Sequence, residues 1–545
     1  MLTGMEIKSE RKGRLLNGVV LLTASTLICK VIGLLFKIPI ISIVGIDGMA
    51  YFSAAYNVYM LLNSVSAAGL PVALSILISK NISEGKNANA SKIFSVSITI
   101  FAALGVLCSV ILFVFADIYS EFIGINEASL AVKAISPTLF FICLSGGIRG
   151  YFQGFKVMVP TAVSQLLESI GKLVLGISFA LFVINRGGNP SATAAAAVSG
   201  LSVGVLLSLI YLMVHLVVFN RKSFNTGACC SNDTTDKVSR IARSLFYIAF
   251  PITISSCITS LTGIADTALI TNRLIDSGFS NDVAVTLYSS YINLAIPLFN
   301  LPPALIAPIA ISLVPSLTST VTIGNVKVSE RIFASSVRLC NLLAIPASVG
   351  LAVFAKPILL LIYPGEREAC SFAAPLLTVL SIAIVFSCLI TVLNAVLQAY
   401  MKPVLQIIAM AIGAIVKIIT EYILVGSDLG VMGAPISTIA CTLTIFWVDL
   451  TFVTVYTSHR IAFKPIFKSL MAALISVSLS ALLYQLMLLL NINYAVALIS
   501  SIALAIVVYA FEVLLFGVVK NTDFSGIPFG GKILCILQKV KLIKE

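Results

Sequence analysis

The sequence predicts an all-α polytopic membrane protein, and three observations carry that expectation. Apolar segments of about 20 residues or more recur from one end of the chain to the other, which is helix-crossing length and too long for barrel strands. The chain is 59% hydrophobic and only 10% charged, with a mean hydropathy of +1.08, whereas soluble domains carry about 25% charged residues. Its 35 Lys and Arg outnumber 22 Asp and Glu, giving +13, and this basic excess gathers in alternate loops.

Taken in order, about fourteen transmembrane helices are expected, at 15–43, 50–79, 93–116, 130–152, 160–184, 192–219, 243–271, 283–318, 332–361, 371–399, 404–425, 431–457, 466–490 and 493–519. Several exceed one crossing, which implies tilt or kinks. Prolines within them (Pro39, Pro71, Pro251, Pro297, Pro302, Pro303, Pro308, Pro346) suggest bent helices. The basic start (Lys8, Arg11, Lys12, Arg14) leads into a segment too long for a signal peptide, so no cleaved signal is expected.

The charge distribution sets an orientation. With the N-terminus in the cytoplasm and the spans alternating, Lys133, Arg186, Arg273, Lys356 and Arg367 alone fall outside. Lys30, Lys37, Lys172 and Lys417 lie within spans, and every other basic residue is cytoplasmic. This is the positive-inside pattern, and it places both termini in the cytoplasm. The basic excess then faces anionic lipid, so membrane lipids are expected partners and nucleic acid is not.

An internal repeat underlies the spans. PVALSILIS (71–79) resembles PIAISLVPS (308–316), and SKIF (91–94) resembles ERIF (330–333). The expected organisation is a basic N-terminus (1–14), a first six-helix lobe (15–219), a linker (220–242), a second six-helix lobe (243–457), two C-terminal helices (466–519) and a basic tail (520–545). An even helix number per repeat relates the lobes by a pseudo-two-fold axis along the membrane normal.

Ionisable groups inside a membrane are costly and mark function by default. The stretch RGYFQGFKVMVPTAVSQLLESIGK (149–172) crosses a short basic turn and then carries Glu168 and Lys172. Its counterpart places Lys417 and Glu421 one turn apart near Gln398 and Pro403. The plain reading is a self-neutralising i,i+4 pair in each case; the functional reading is a charged cavity, favoured because the feature occurs in both halves. Lys30 and Lys37 share one face of the first helix with no carboxylate beside them in that span, so an anionic ligand or carboxylates on other helices must compensate them. Lys37 reads almost as readily as an interfacial anchor, which leaves Lys30 the stronger candidate for the cavity, with Glu168 and Lys172 more a shaping or gating pair. Asp266 is a further buried acid. Arg149 reads either as an anchor or as a guanidinium fork for phosphate. The candidate substrate-binding cations are therefore Lys30, Lys37, Arg149, Lys172 and Lys417, and the candidate gating acids Glu168, Asp266 and Glu421. Asn57, Asn63, Asn293, Asn300, Asn394, Gln153 and Gln398 add polar positions, while Asp449 and Glu512 read as interhelical contacts.

Other chemistries find little support. The 11 cysteines lie mostly in apolar segments and show no CxxC spacing, and only two histidines occur (His215, His459). GIPFGGKI (526–533) has phosphate-loop spacing but lacks the following Ser or Thr. GLSVG (200–204) reads as close helix packing. Neither an enzyme nor a bound cofactor or metal is expected.

CKVIGLLFKIPI (29–40), AAGLPVALS (67–75) and RGYFQGFKVMVPTAVSQLLES (149–169) resemble the MOP exporter superfamily, in its polysaccharide-biosynthesis and MurJ-like branch, and especially the Gram-positive YtgP and stage V sporulation protein B group. The resemblance implies flipping of an undecaprenyl-diphosphate-linked sugar, typically lipid II, by alternating access around a cationic cavity. It matches Lys30 to a basic position of the first helix, with Lys37 at or next to a second, and implies a lipid-tail groove near the last two spans. The basic residues that the Gram-negative branch carries late in its second helix are missing from NSVSAAG (63–69). The expected partner is an anionic lipid-linked sugar, and the expected state a monomer. Coupling to membrane potential, Na⁺ or H⁺ is left open, as is the vegetative or sporulation role. A multidrug or cation antiporter of the same superfamily, and a flippase for another lipid-linked polysaccharide, are the alternatives.

Overall fold

The computed structural model describes residues 2–64, 69–155, 157–225, 236–322, 325–457 and 462–518. All regular structure among these residues is helical. In the first half, α1 is Leu2–Asn63, α2 Gly69–Ser83, α3 Asn87–Val114, α4 Ala116–Phe122, α5 Ser129–Gly154, α6 Val159–Ile184 and α7 Pro190–Asn225. Then come α8 (Val238–Asp276), α9 (Asn281–Ser289), α10 (Ile296–Phe299) and α11 (Leu301–Thr322). The rest comprises α12 (Val326–Ile362), α13 (Arg367–Leu380), α14 (Ile382–Ala399), α15 (Pro403–Val425), α16 (Gly433–Thr457), α17 (Phe463–Leu489) and α18 (Tyr494–Leu515).

Among the described residues, 12 helical stretches are long and apolar enough to cross a membrane. The expected fourteen also counted the early part of α1 and α8, both helical, in which many side chains lie outside the described residues. The protein is thus a multi-pass helical membrane protein.

Three expected spans are subdivided. The chain expected to run 15–43 and then 50–79 is one long α1, kinked at Gly45, followed by the separate α2. Gly45 has φ 78 and ψ 172, a conformation that side-chain-bearing residues rarely adopt. The span at 283–318 is divided into α9, a π-helical turn (Ser290–Ala295), α10 and α11. Pro297 begins α10, and Pro302 and Pro303 fall in the first turn of α11. Several prolines read as bends therefore start helices, where their missing N–H costs nothing. Pro39 and Pro346 do lie inside helices. The span at 371–399 divides at Ser381 into α13 and α14.

By packing, the chain forms two compact units, residues 1–275 with 279–289, and residues 276–278 with 290–545. The sequence repeat draws its boundary earlier, at 220–242, so α8 and α9 pack with the first unit although the repeat assigns them to the second half. The seam explains this. Ile241, Leu245 and Ala249 of α8 join Leu70, Leu74 and Ile78 of α2 in one apolar cluster. Ser64 and Ser260 hydroxyls lie 2.9 Å apart, Asn57 donates to Gly263 O (3.2 Å) and Thr267 Oγ1 (2.9 Å), and Asn272 donates to Phe122 O at 2.9 Å. A repeat records sequence likeness between elements; it does not decide which faces they bury.

In the second unit, α15 and α16 pack closely at Gly413, where an added Cβ would lie 2.3 Å from Ile445 Cγ1. α17 and α18 pack on each other, with Ala472, Ala473, Tyr509 and Val513 in a cluster against Ile345 of α12.

Candidate functional site

The site grows from the way α6 is held. Pro160 starts the helix, and its preset φ suits the first turn. Two glycine pairs then bring α6 and α7 into backbone contact. A Cβ added to Gly171 would sit 2.6 Å from Gly204 Cα, and one added to Gly200 would sit 2.3 Å from Gly176 N. GLSVG is therefore a close-packing element, as its composition suggests. With no side chain between the backbones, the height and rotation of α6 at Glu168 and Lys172 are fixed.

Arg149 enters from α5. Its Nε donates to Ser164 Oγ (2.8 Å), and its Nη2 donates to Glu168 Oε2 (2.9 Å) and Ser208 Oγ (3.0 Å). The side chains of Arg149 and Glu168 are only 13% and 22% exposed. The sequence offers Glu168 and Lys172 as an i,i+4 pair, but Glu168 pairs instead with Arg149. A guanidinium fork matches a carboxylate and two flanking hydroxyls better than a single ammonium does. The same bonds occupy the fork that could otherwise have met a phosphate.

Lys172 lies among aromatic rings. Its Nζ is 4.7 Å from the Tyr56 ring centroid, 5.1 Å from Phe36 and 5.8 Å from Phe52. These residues flank the Gly45 kink, so the fold of α1 brings Phe36 and Tyr56 to one ammonium group. Among the described residues no carboxylate pairs with Lys172. Ring quadrupoles attract the ammonium while leaving its charge uncancelled, so it keeps its pull on an anion.

Lys172 and Glu168 line a chamber of about 290 Å³ inside the first unit, bounded by Cys29, Phe36, Tyr56 and Asn63 of α1, Ile142 of α5 and Leu201 of α7. The Cys29 thiol donates to Gln165 O at 3.3 Å, which ties α1 to α6. Lys37 is half-buried on α1 and is not among the residues that line the chamber.

The remaining candidates sit elsewhere. Lys30 is on α1, and its side chain lies outside the described residues. Asp266 is buried on α8, next to the Thr267 that binds Asn57. Lys417 and Glu421 are buried in the second unit, on the stripe Ala409, Gly413, Lys417, Glu421 and Val425 of α15. Lys417 is 8% exposed, so the repeat partner of the chamber lysine lies in a packed face. Asp449 is fully buried on α16, and neither of its carboxylate oxygens accepts a hydrogen bond among the described residues; the interhelical bond expected of it is not made there. Lys156 and the basic tail (520–545) lie outside the described residues.

Sequence reasoning missed Ser164 and Ser208, which hold Arg149, and the aromatic residues around Lys172. The spacing of Phe52, Tyr56 and Tyr59, which shares one helical face, was the available signal.

Apolar helices of crossing length around a buried, charged chamber define a polytopic helical membrane protein. The sequence model of the family described as "Polysaccharide biosynthesis protein" matches residues 15–321, more than half of the chain, and the chain belongs to that family. It is 27% identical over 430 residues to the lipid II flippase MurJ of Bacillus subtilis, covering 76% of this chain and 77% of the relative. It is 25% identical over 529 residues to stage V sporulation protein B of Bacillus subtilis, covering 96% and 99%. Its fold matches the solved structure of a lipid II flippase MurJ in an inward closed conformation, with TM-score 0.69 and 16% identity over 91% of this chain and 98% of the other.

Proposed function

We propose that this protein is a flippase that moves a polyprenyl-diphosphate-linked sugar, lipid II foremost, from the inner to the outer leaflet by alternating access. The observation that carries this reading is the Lys172 ammonium, held by aromatic rings in a membrane-embedded chamber whose carboxylate, Glu168, is already committed to Arg149. The chamber thus presents the Lys172 charge with its one lining carboxylate already paired. A diphosphate supplies the compensating anion, while the polyprenyl chain stays in lipid. Lysine binds phosphate as a point charge, which suits a site that must also release its ligand. Similarity to MurJ supports the same substrate class, and similarity to stage V sporulation protein B supports a place in cell-wall or spore-cortex synthesis. The charge pattern of the loops supports cytoplasmic termini. A cation antiporter needs an uncommitted acid in such a chamber, and the acid here is paired.

The test is lipid II exposure on the outer leaflet of cells depleted of their own flippase and expressing this protein. Lys172→Met loses flipping at normal membrane levels, and Lys172→Arg retains a measurable part. Full flipping by Lys172→Met refutes the reading, as does equal transport of a cationic drug by the wild-type protein. Replacing lipid II with other lipid-linked saccharides in the assay separates the substrate from its relatives.

A further inference from the structure

The chamber has an aromatic and amide side that the diphosphate does not use. Phe36, Phe52, Tyr56 and Tyr59 form a continuous ring series, with centroids 5.8, 6.1 and 5.8 Å apart in succession. Phe36, Tyr56 and Tyr59 line the chamber; Phe36, Phe52 and Tyr59 are buried, and of the four rings Tyr56 alone is half-open. Asn63, seven residues further, stands on nearly the same helical face at a rise of roughly 10 Å. It lines the same chamber, and its Oδ1 is shielded from solvent yet accepts no hydrogen bond among the described residues.

A carbonyl oxygen left without a donor is costly, and a turn of the Asn63 side chain, which lines the chamber, would bring that oxygen to a ligand donor. A sugar has what both residues need: a C–H face that packs on an aromatic ring, and hydroxyl or amide N–H donors at its rim. The placement also fits, because an anomeric phosphate is joined directly to its sugar, and the Lys172 ammonium lies 4.7 Å from the Tyr56 centroid.

We infer that Tyr56 and Asn63 form a sugar subsite beside the phosphate-binding Lys172, with the phosphate-proximal sugar packed against Tyr56 and donating a hydrogen bond to Asn63 Oδ1. The inference rests on the flippase reading above and adds to it the part of the headgroup that is recognised and the residues that recognise it. The protein then distinguishes a sugar-bearing polyprenyl diphosphate from the same lipid without its sugar.

The experiment measures equilibrium binding of two probes to the full chain in lipid nanodiscs: undecaprenyl diphosphate, and the same lipid carrying an N-acetylated disaccharide. Wild type binds the sugar-bearing lipid about ten-fold more tightly, the gain of one ring contact and one hydrogen bond. In Tyr56→Leu and Asn63→Leu that ratio falls towards one, while Tyr56→Phe preserves most of it. Lys172→Met weakens both probes together and keeps the ratio. A wild-type ratio near one overturns the subsite, as does a ratio unchanged in Asn63→Leu and Tyr56→Leu. Failure of both probes to bind, or binding indifferent to Lys172→Met, overturns the flippase reading instead. Thermal melts of each variant identify any that do not fold. Should Tyr56→Leu be one of them, Asn63→Leu and Tyr56→Phe carry the decision.

Discussion

Removing Arg149 separates two roles that the chamber combines. Arg149→Ala deletes three hydrogen bonds, to Ser164, Glu168 and Ser208, and leaves Glu168 as a carboxylate without its partner. Bonds to charged groups contribute about 1.5–3 kcal/mol each, and breaking a fully buried pair costs about 3–5 kcal/mol. Both side chains keep some access to solvent (13% and 22%), so hydration offsets part of the loss and the expected cost is about 2–4 kcal/mol. The freed Glu168, one helical turn from Lys172, then competes with any anionic ligand for that ammonium. Arg149→Ala therefore lowers stability and abolishes flipping together. Adding Glu168→Gln removes the stranded charge: the double variant recovers about 1–2 kcal/mol and regains part of the flipping. Equilibrium denaturation of the purified variants, with lipid II exposure in flippase-depleted cells, gives both readouts. Wild-type stability in Arg149→Ala, or a double variant no better than the single, would falsify the assignment of Arg149 as the group that holds and neutralises Glu168.

Two further outcomes follow from the geometry. Gly200→Ala places a methyl group 2.3 Å from Gly176 N, so α6 and α7 must separate; a cost of about 1–3 kcal/mol is expected, with weaker substrate binding because Lys172 shifts with α6, checked by denaturation and by binding of undecaprenyl diphosphate. At the N-terminal end of α8, Asn89 donates to Asn81 Oδ1 (2.8 Å) and Asp236 Oδ2 (2.9 Å), and this bond, reinforced by Arg240, holds the Asp236 carboxyl below the usual carboxylate range. A depressed folded pKa gives stability that is complete above the unfolded value of about 3.9 and is lost as pH falls through the folded value. Asn89→Leu is thus expected to be less stable by about 1–3 kcal/mol at neutral pH, with a deficit that narrows below about pH 4 as wild type loses the same contact; a deficit that does not change with pH would contradict this origin.

Much of the molecule is legible in the chain itself. The helical class follows from segment length and hydropathy, since a backbone in lipid must satisfy its own hydrogen bonds. The buried charges announce themselves as polar residues in apolar runs, and GLSVG announces close packing. Their partners do not. Glu168 and Lys172 are four residues apart and look paired, yet Glu168 bonds to an arginine 19 residues earlier because the approach of α5 and α7 brings Arg149 and Ser208 to Ser164 and Glu168 of α6. Phe36 and Tyr56 are twenty residues apart and meet at Lys172 only because α1 kinks at Gly45.

The same division holds for the chamber as a whole. Local sequence determined that the protein is a helical membrane protein, that Glu168 and Lys172 lie in a span, and that glycines border it, because crossing length, charge cost and helical period are properties of neighbouring residues. Only the tertiary structure decided that Arg149 cancels Glu168, that aromatic rings hold Lys172 without cancelling its charge, that Lys417 is packed away while Lys172 opens on a cavity, and that α8 joins the first unit. Those outcomes depend on which helices approach one another and at what rotation. That is set by the summed packing of many side chains, and no short stretch of the chain encodes it.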